Sequence, residues 1–404
     1  MGKTTITKRI VTLFLYADTL LLSFYFFRFS FWGLRANIFE LAILTTLLAA
    51  VIYFHIAKQK PVLGFIWPYL FLIIAGVAVF LSPDKTKALG ILKGWFFIPI
   101  AYYWLIINFA PFGKRLVSLT RFLLIALALV CVWAILQKFG VIGPLFYQIG
   151  DSNFSQYLEQ GRIFGPFESP NYLAMFIVPV LFLASLPYQW KKFPLYLLLV
   201  TLVLITLYLS DSRSGALALF AGGIITVSLW PSASKWSLAP KIAVIILALV
   251  STYYVVGKIN FDSGSNMVRK EIYSYSVEML KGNYLFGMGL GSFQDKIDKL
   301  SLGNQSFRIY GLPYALHPHN LFLAVWLYLG LAGILTFLSG LFIFFYRGLK
   351  SRSPDQVLIL GAMTAILVHG LFDTTYFKND LSAIFWLTVA LLYTYTNDKR
   401  PYQN

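Results

Sequence analysis

Asn320-Leu-Phe-Leu-Ala-Val-Trp-Leu-Tyr-Leu-Gly330-Leu-Ala-Gly-Ile-Leu-Thr-Phe-Leu-Ser-Gly340-Leu-Phe-Ile-Phe-Phe345 carries no charged side chain from end to end. A helix of roughly 20 apolar residues crosses about 30 Å of hydrocarbon. The run therefore predicts a membrane-spanning helix over 320–345. Comparable windows fall near 10–27, 37–56, 62–81, 90–110, 116–137, 171–187, 194–210, 215–230 and 239–257 before it, and near 355–372 and 381–396 after it. The expected fold is an all-α polytopic membrane protein of roughly twelve spans. Residues 1–257 would hold the first nine, 258–319 a large polar loop with short helices, and 320–404 the last three and a tail.

Composition supports that class. The 404-residue chain is 58% hydrophobic and 12% charged, more apolar than any soluble domain of this size requires. Its net charge of +17 is distributed as a topology signal. Lys8, Arg9, Lys58, Lys60, Lys114, Arg115, Lys191, Lys192, Arg347 and Lys350 would fall in loops on one side, with few acids. The positive-inside rule then places both termini in the cytoplasm. A nucleic-acid partner is not expected, because no soluble domain gathers these charges into a basic face. The N-terminus resembles a signal peptide, but no small-residue cleavage site follows Phe27, so it is expected to remain as the first span. Cys131 stands alone inside a span.

Two loops on the opposite side exceed simple turns, 138–170 and 258–319. In the second, Val268, Ile272, Tyr275 and Met279 recur at helical spacing. They predict a short amphipathic helix, with Asn266 as N-cap and Gly282 as stop. Gly287-Met288-Gly289-Leu290-Gly291 lacks the spacing and βαβ setting of a nucleotide loop, and reads as a tight backbone turn.

Candidate chemistry centres on His317-Pro318-His319-Asn320, which holds two of the four histidines at a membrane boundary. Ionisable groups cost about 2.5–3.5 kcal/mol inside a bilayer even on lenient scales, so they call for a reason. His319 suits a general base, and Asn320 can cap the helix that follows. Arg213 interrupts two apolar runs within Asp211-Ser212-Arg213-Ser214-Gly215, while Arg269 lies in the amphipathic helix and Arg162 precedes Pro170-Asn171. Arginine grips phosphate oxygens bidentately, and a helix N-terminus beside Arg213 would add donors. Snorkelling to headgroups, or pairing of Asp211 with Arg213, are the structural alternatives. His369 and Asp373 would share a helix face if the helix continues that far, lining the same cavity or pairing together. No carboxylate or cysteine cluster accompanies the histidines, so no metal or other cofactor is expected.

These residues resemble the O-antigen ligase and polymerase superfamily of the bacterial envelope. Arg162-Ile-Phe-Gly-Pro-Phe-Glu-Ser-Pro-Asn171 is similar to its first loop signature, and Ser212-Arg213-Ser214-Gly215 to its Ser-Arg-Gly element. Arg269 with Leu285–Phe293 resembles the large-loop signature. His319-Asn320 followed by Gly330-Leu331-Ala332-Gly333 resembles the His-Asn-x9-Gly-x-x-Gly element. Ile334 and Leu335 stand where the ligase pattern continues with threonines.

The resemblance implies a fold like the GT-C membrane glycosyltransferases, in the bacterial cytoplasmic membrane with the active site facing the periplasm. It implies a glycan donor on undecaprenyl pyrophosphate and an acceptor that is lipid A-core or another glycan. Arg213 and Arg269 would hold the pyrophosphate, and His319 would activate the acceptor hydroxyl. Arg162, Asn171, His317, Asn320 and His369 would contribute to substrate binding. The expected reaction is inverting and metal-independent. Ligation leads; polymerisation and protein O-glycosylation are alternatives. A transporter is the non-enzymatic alternative, disfavoured because the candidate residues sit in loops rather than at the bilayer midplane.

Overall fold

The computed structural model describes residues 2–31, 34–111, 113–143, 148–149, 152–153, 155–186, 193–231, 264–301, 317–351 and 353–397. Its elements are α1 (Lys3–Leu21), a hairpin of β1 (Arg28–Phe31) and β2 (Leu34–Asn37), α2 (Ile38–Ala57), α3 (Trp67–Leu81), α4 (Lys85–Phe109) and α5 (Lys114–Lys138). After a two-residue strand pair follow α6 (Ser155–Glu159), α7 (Pro170–Ala184), α8 (Phe193–Ser210) and α9 (Arg213–Leu229). The amphipathic pieces are α10 (Gly264–Lys281) and α11 (Ser292–Ser301), and the chain closes with α12 (Leu321–Ser351), α13 (Pro354–His369) and α14 (Asn379–Asn397). Among the described residues the strands form only short two-stranded pairs, and these residues make a helical bundle.

Every apolar run expected to span coincides with a helix, except 239–257, which lies outside the described residues. Among the described residues four helices are long and apolar enough to cross a membrane: Ile38–Ala57, Lys85–Phe109, Lys114–Lys138 and Leu321–Lys350. The apolar helices Trp67–Leu81, Pro170–Ala184, Leu197–Ser210, Arg213–Leu229 and Pro354–His369 are shorter. A full count of twelve therefore remains an expectation. Leu48, Ile73, Phe80 and Phe342 project outward while Phe39, Phe71, Phe337 and Trp386 are buried. Apolar residues on both faces are what a helix between protein and lipid requires.

Small residues set the closest helix approach. The α9–α13 pair is the most extensive packing in the bundle. A Cβ at Gly222 would lie 2.6 Å from the Gly361 carbonyl oxygen, so the two backbones touch where larger side chains would hold them apart.

α12 departs from the uninterrupted span expected over 320–345. Gly330 has φ 66°, which breaks the helix. The freed backbone groups are taken up by the glycine-rich segment: Leu331 N–H donates to Leu285 O at 2.9 Å, and Met288 N–H to Leu327 O at 2.6 Å. The segment between α10 and α11 thus makes the tight turn expected of it, wedged against the break. A Cβ at Gly330 would collide with the backbone of Leu285, Phe286 and Gly287. Gly330→Ala is therefore expected to destabilise the protein by more than about 1 kcal/mol, read as a lower unfolding midpoint in detergent. Gly76→Ala in α3, where a Cβ meets open space, should leave that midpoint unchanged or slightly raised.

Candidate active site

One end of the bundle gathers the polar loops. Glu168 reaches Tyr25 and Arg28, Ser82 Oγ donates to Leu290 O, and Asn379 Nδ2 donates to Glu40 Oε1 at 2.7 Å. The candidate residues lie at this end.

His319 follows Pro318 in the left-handed region (φ 50°), a conformation histidine adopts more readily than most side chains. Three contacts hold it there. Tyr273 Oη donates to His319 O at 2.8 Å, bridging α10 to the loop. Asn320 Oδ1 accepts from Leu323 N–H at 3.0 Å and caps α12 as expected. His319 Nδ1 lies 3.0 Å from Asp373 Oδ1. With the Nδ1 proton given to the carboxylate, Nε2 carries the lone pair. The His319 side chain is 30% exposed and that of Asp373 only 7%. The arrangement is an oriented imidazole open to the loops, backed by a buried carboxylate.

Burial alone would raise the Asp373 carboxyl. His319, the hydrogen bond to it, Arg269 and His369 outweigh burial and hold it well below the usual carboxylate range. An Asp with a depressed pKa adds stability above its unfolded value, about 3.9, and loses it as pH falls toward the folded value. The pair should therefore stay intact through pH 5–8 and weaken only in acid. Chemical-shift titration of the Asp373 carboxyl carbon checks this: it should stay ionised, with no titration step, down to pH 5.

The arginines converge on the same region. Arg162 Nε donates to Ser210 O at 3.1 Å, one Nη donates to Asp211 O, and its guanidinium stacks over the Tyr157 ring. Its ionisation is lowered by burial first, against the pull of Asp211, and then by the charges of Arg213 and Arg269. Arg213 and Arg269 are thus each close enough to Arg162 to act on its charge. Asp211 serves Arg162 and not Arg213, which corrects one structural alternative. Arg213 opens α9, whose N-cap Ser212 Oγ accepts from Gly215 N–H. It is exposed, and Arg269 is half-buried. Among the described residues neither guanidinium has a hydrogen-bonded or ion-paired partner. Arg213 at the start of α9 and Arg269 within α10 are cations of the kind that could hold an anion.

The remaining candidates brace or border this centre. Ser212 Oγ donates to Asn171 Oδ1 at 2.9 Å, tying the start of α7 to the start of α9. His369 Nε2 lies 3.0 Å from Ser214 Oγ. α13 ends at His369, so Asp373 lies beyond the helix and turns to His319, not onto a shared face. His317 is buried against Trp95, Phe377 and Tyr328, with Nδ1 3.3 Å from Tyr328 Oη. Burial, assisted by the charge of His319, pushes it down to about 3. It is a neutral, packed ring. Among the described residues no three His, Cys, Asp or Glu side chains converge as a metal site would require.

Sequence reasoning missed the partnership of Asp373 with His319, because the chain between them is long and only the fold closes it. It also missed Tyr273, whose hydroxyl burial pushes up to about 12, so it remains a donor at neutral pH. In α10, Ile272 and Met279 are buried and Tyr275 half-buried as expected, and Gly282 follows the helix end. The helix begins at Gly264, so Asn266 lies within it, and the side chains of Asn266 and Val268 fall outside the described residues.

Residues 197–338 match the family model described as O-antigen ligase, and this match supports the resemblance to the O-antigen ligase superfamily. The matched segment contains Arg213, Arg269, His319 and the Gly330 break, and excludes Arg162, Asn171, His369 and Asp373. No match to a curated protein is found. This match and the apolar helices together support a multi-pass membrane protein with a general enzyme role of the ligase and polymerase type.

Proposed function

We propose that the protein transfers a glycan from undecaprenyl pyrophosphate to a hydroxyl of lipid A-core at the periplasmic face of the bacterial inner membrane, with both termini cytoplasmic and a GT-C-like arrangement of spans. The observation that carries this reading is the Asp373-backed His319 in one region with Arg213 and Arg269, which have no hydrogen-bonded or ion-paired partner among the described residues. The acceptor oxygen attacks the anomeric carbon and loses its proton to His319 Nε2. The bond from that carbon to the pyrophosphate oxygen breaks, its electron pair leaving with undecaprenyl pyrophosphate. Attack opposite the leaving group inverts the anomeric centre. Arg213 and Arg269 receive the charge that grows on the leaving oxygens, where preorganised cations contribute most. Asp373 keeps the base in the correct tautomer and steadies the imidazolium.

Asn171 and Arg162 hold the arginine side of the site in place, and Asn320 sets the start of the helix behind the base. His317 and His369, expected to contribute to substrate binding, are both buried, and would act from behind the site by supporting Tyr328 and Ser214. Polymerisation is the second reading, favoured by Ile334 and Leu335 in place of the threonines of the ligase pattern.

Asp373→Asn is expected to lower turnover about 10²-fold, the lower range for losing an oriented acid–base pair. Donor affinity should change little. Transfer assays with purified protein, undecaprenyl-pyrophosphate glycan and lipid A-core test both. Wild-type turnover in Asp373→Asn would remove the carboxylate from the mechanism.

A further inference from the structure

A second polar cluster lies beside the proposed site and has no part in its chemistry. Lys378 Nζ pairs with the Glu168 carboxylate. The lysine is 8% exposed and is boxed by the rings of Tyr172 at 4.0 Å, Tyr25 at 4.5 Å and Phe167 at 5.4 Å. Glu168 also accepts from Tyr25 Oη at 2.6 Å and from Arg28 at 3.3 Å. Asp380 stands 4.0 Å from the ammonium on its other side.

The partners come from two particular loops. Glu168 lies between Arg162 and Asn171, the segment fastened to the start of α9 through Ser210, Asp211 and Ser212. Lys378 closes the turn that begins with Asp373. That turn is stiff: Thr374 N–H donates to Asp373 Oδ1, Thr375 Oγ1 to Ile366 O, and Lys378 N–H to Tyr376 O. A single buried ion pair therefore joins the loop that braces the arginines to the loop that orients the base.

We propose that Glu168 and Lys378 are a positioning pair, fixing the distance between the arginine side of the site and the His319–Asp373 pair. The proposal rests on the transferase reading above. Stability alone does not explain the pair. Burying two charges costs several kcal/mol per ion, and apolar residues of similar volume hold loops together as well or better. An ion pair does what they do not: it specifies one partner in one orientation. Registry of this kind matters in catalysis, where a displacement of about 1 Å costs as much as 10²-fold in rate.

Glu168→Gln and Lys378→Met are each expected to lower kcat at least about 10-fold, with the donor KM changed less than about 2-fold, because the arginines remain. The double variant should be no worse than either single variant, since both remove the same interaction. Lys378→Arg, which keeps the charge, should recover part of the rate. Unchanged kcat per folded protein in the single variants, or strictly multiplicative losses in the double, would overturn the proposal. A lower unfolding midpoint with unchanged kcat would likewise make the pair a stabilising contact only.

Spin labels at the exposed positions Gln160 and Leu371 separate this proposal from the transferase reading. Cys131 is buried and does not compete for label. If the wild type transfers no glycan, the transferase reading fails. The clamp then stands if Glu168→Gln broadens the interlabel distance, and falls if that distance distribution is unchanged.

Discussion

Alanine at position 319 is expected to reduce glycan transfer about 10²–10⁴-fold, the range for loss of a general base, in protein that inserts and binds donor normally. The argument is geometric. His319 Nδ1 is engaged by Asp373 Oδ1 at 3.0 Å, which leaves the opposite nitrogen for a substrate. Its backbone is held by Tyr273 and by the α12 cap, so the missing imidazole has no substitute at that position. His317 cannot take over: its ring is buried against Trp95, Phe377 and Tyr328. His317→Gln should accordingly cost much less than His319→Ala in the same transfer assay. Equal losses in both would contradict the assignment of the base.

Arg213→Ala and Arg269→Ala should each lower turnover about 10²–10³-fold, the scale for losing one charge-stabilising donor at a leaving group. Both guanidinium groups lack a partner among the described residues, so their removal leaves no carboxylate unpaired and the fold should tolerate it. Lysine at either position retains charge without the bidentate fork, and should restore only part of the activity. Arg162→Ala differs in kind, since Arg162 is tied to Ser210 and Asp211. Its loss should lower the unfolding midpoint together with the rate. Measuring kcat and the midpoint on the same preparations distinguishes the two behaviours.

The helices were legible in the sequence because a lipid-facing helix must be apolar over its whole length, and runs such as 116–137 have no other reading. The break at Gly330 was not legible. Gly330 lies within an unbroken apolar run, and the break exists only because Leu285–Met288 supplies the backbone partners the kink requires. The arginines and His319 stood out because charge and imidazole are conspicuous against apolar surroundings. Asp373 was visible but was read with its sequence neighbour His369. Helical spacing suggests such a pair only if the helix continues, and α13 stops first. Glu168 and Lys378 meet across 210 positions of the chain, and local patterning carries no trace of a contact between two loops of that separation.

The most direct test of the central claim supplies purified protein with undecaprenyl-pyrophosphate glycan, with and without lipid A-core, and follows the products beside His319→Ala. The account predicts inverted glycan on the core lipid from the wild type and almost none from the variant. A ladder of longer lipid-linked chains formed without the core would replace ligation by polymerisation on the same site. Transfer by His319→Ala at the wild-type rate would contradict the account.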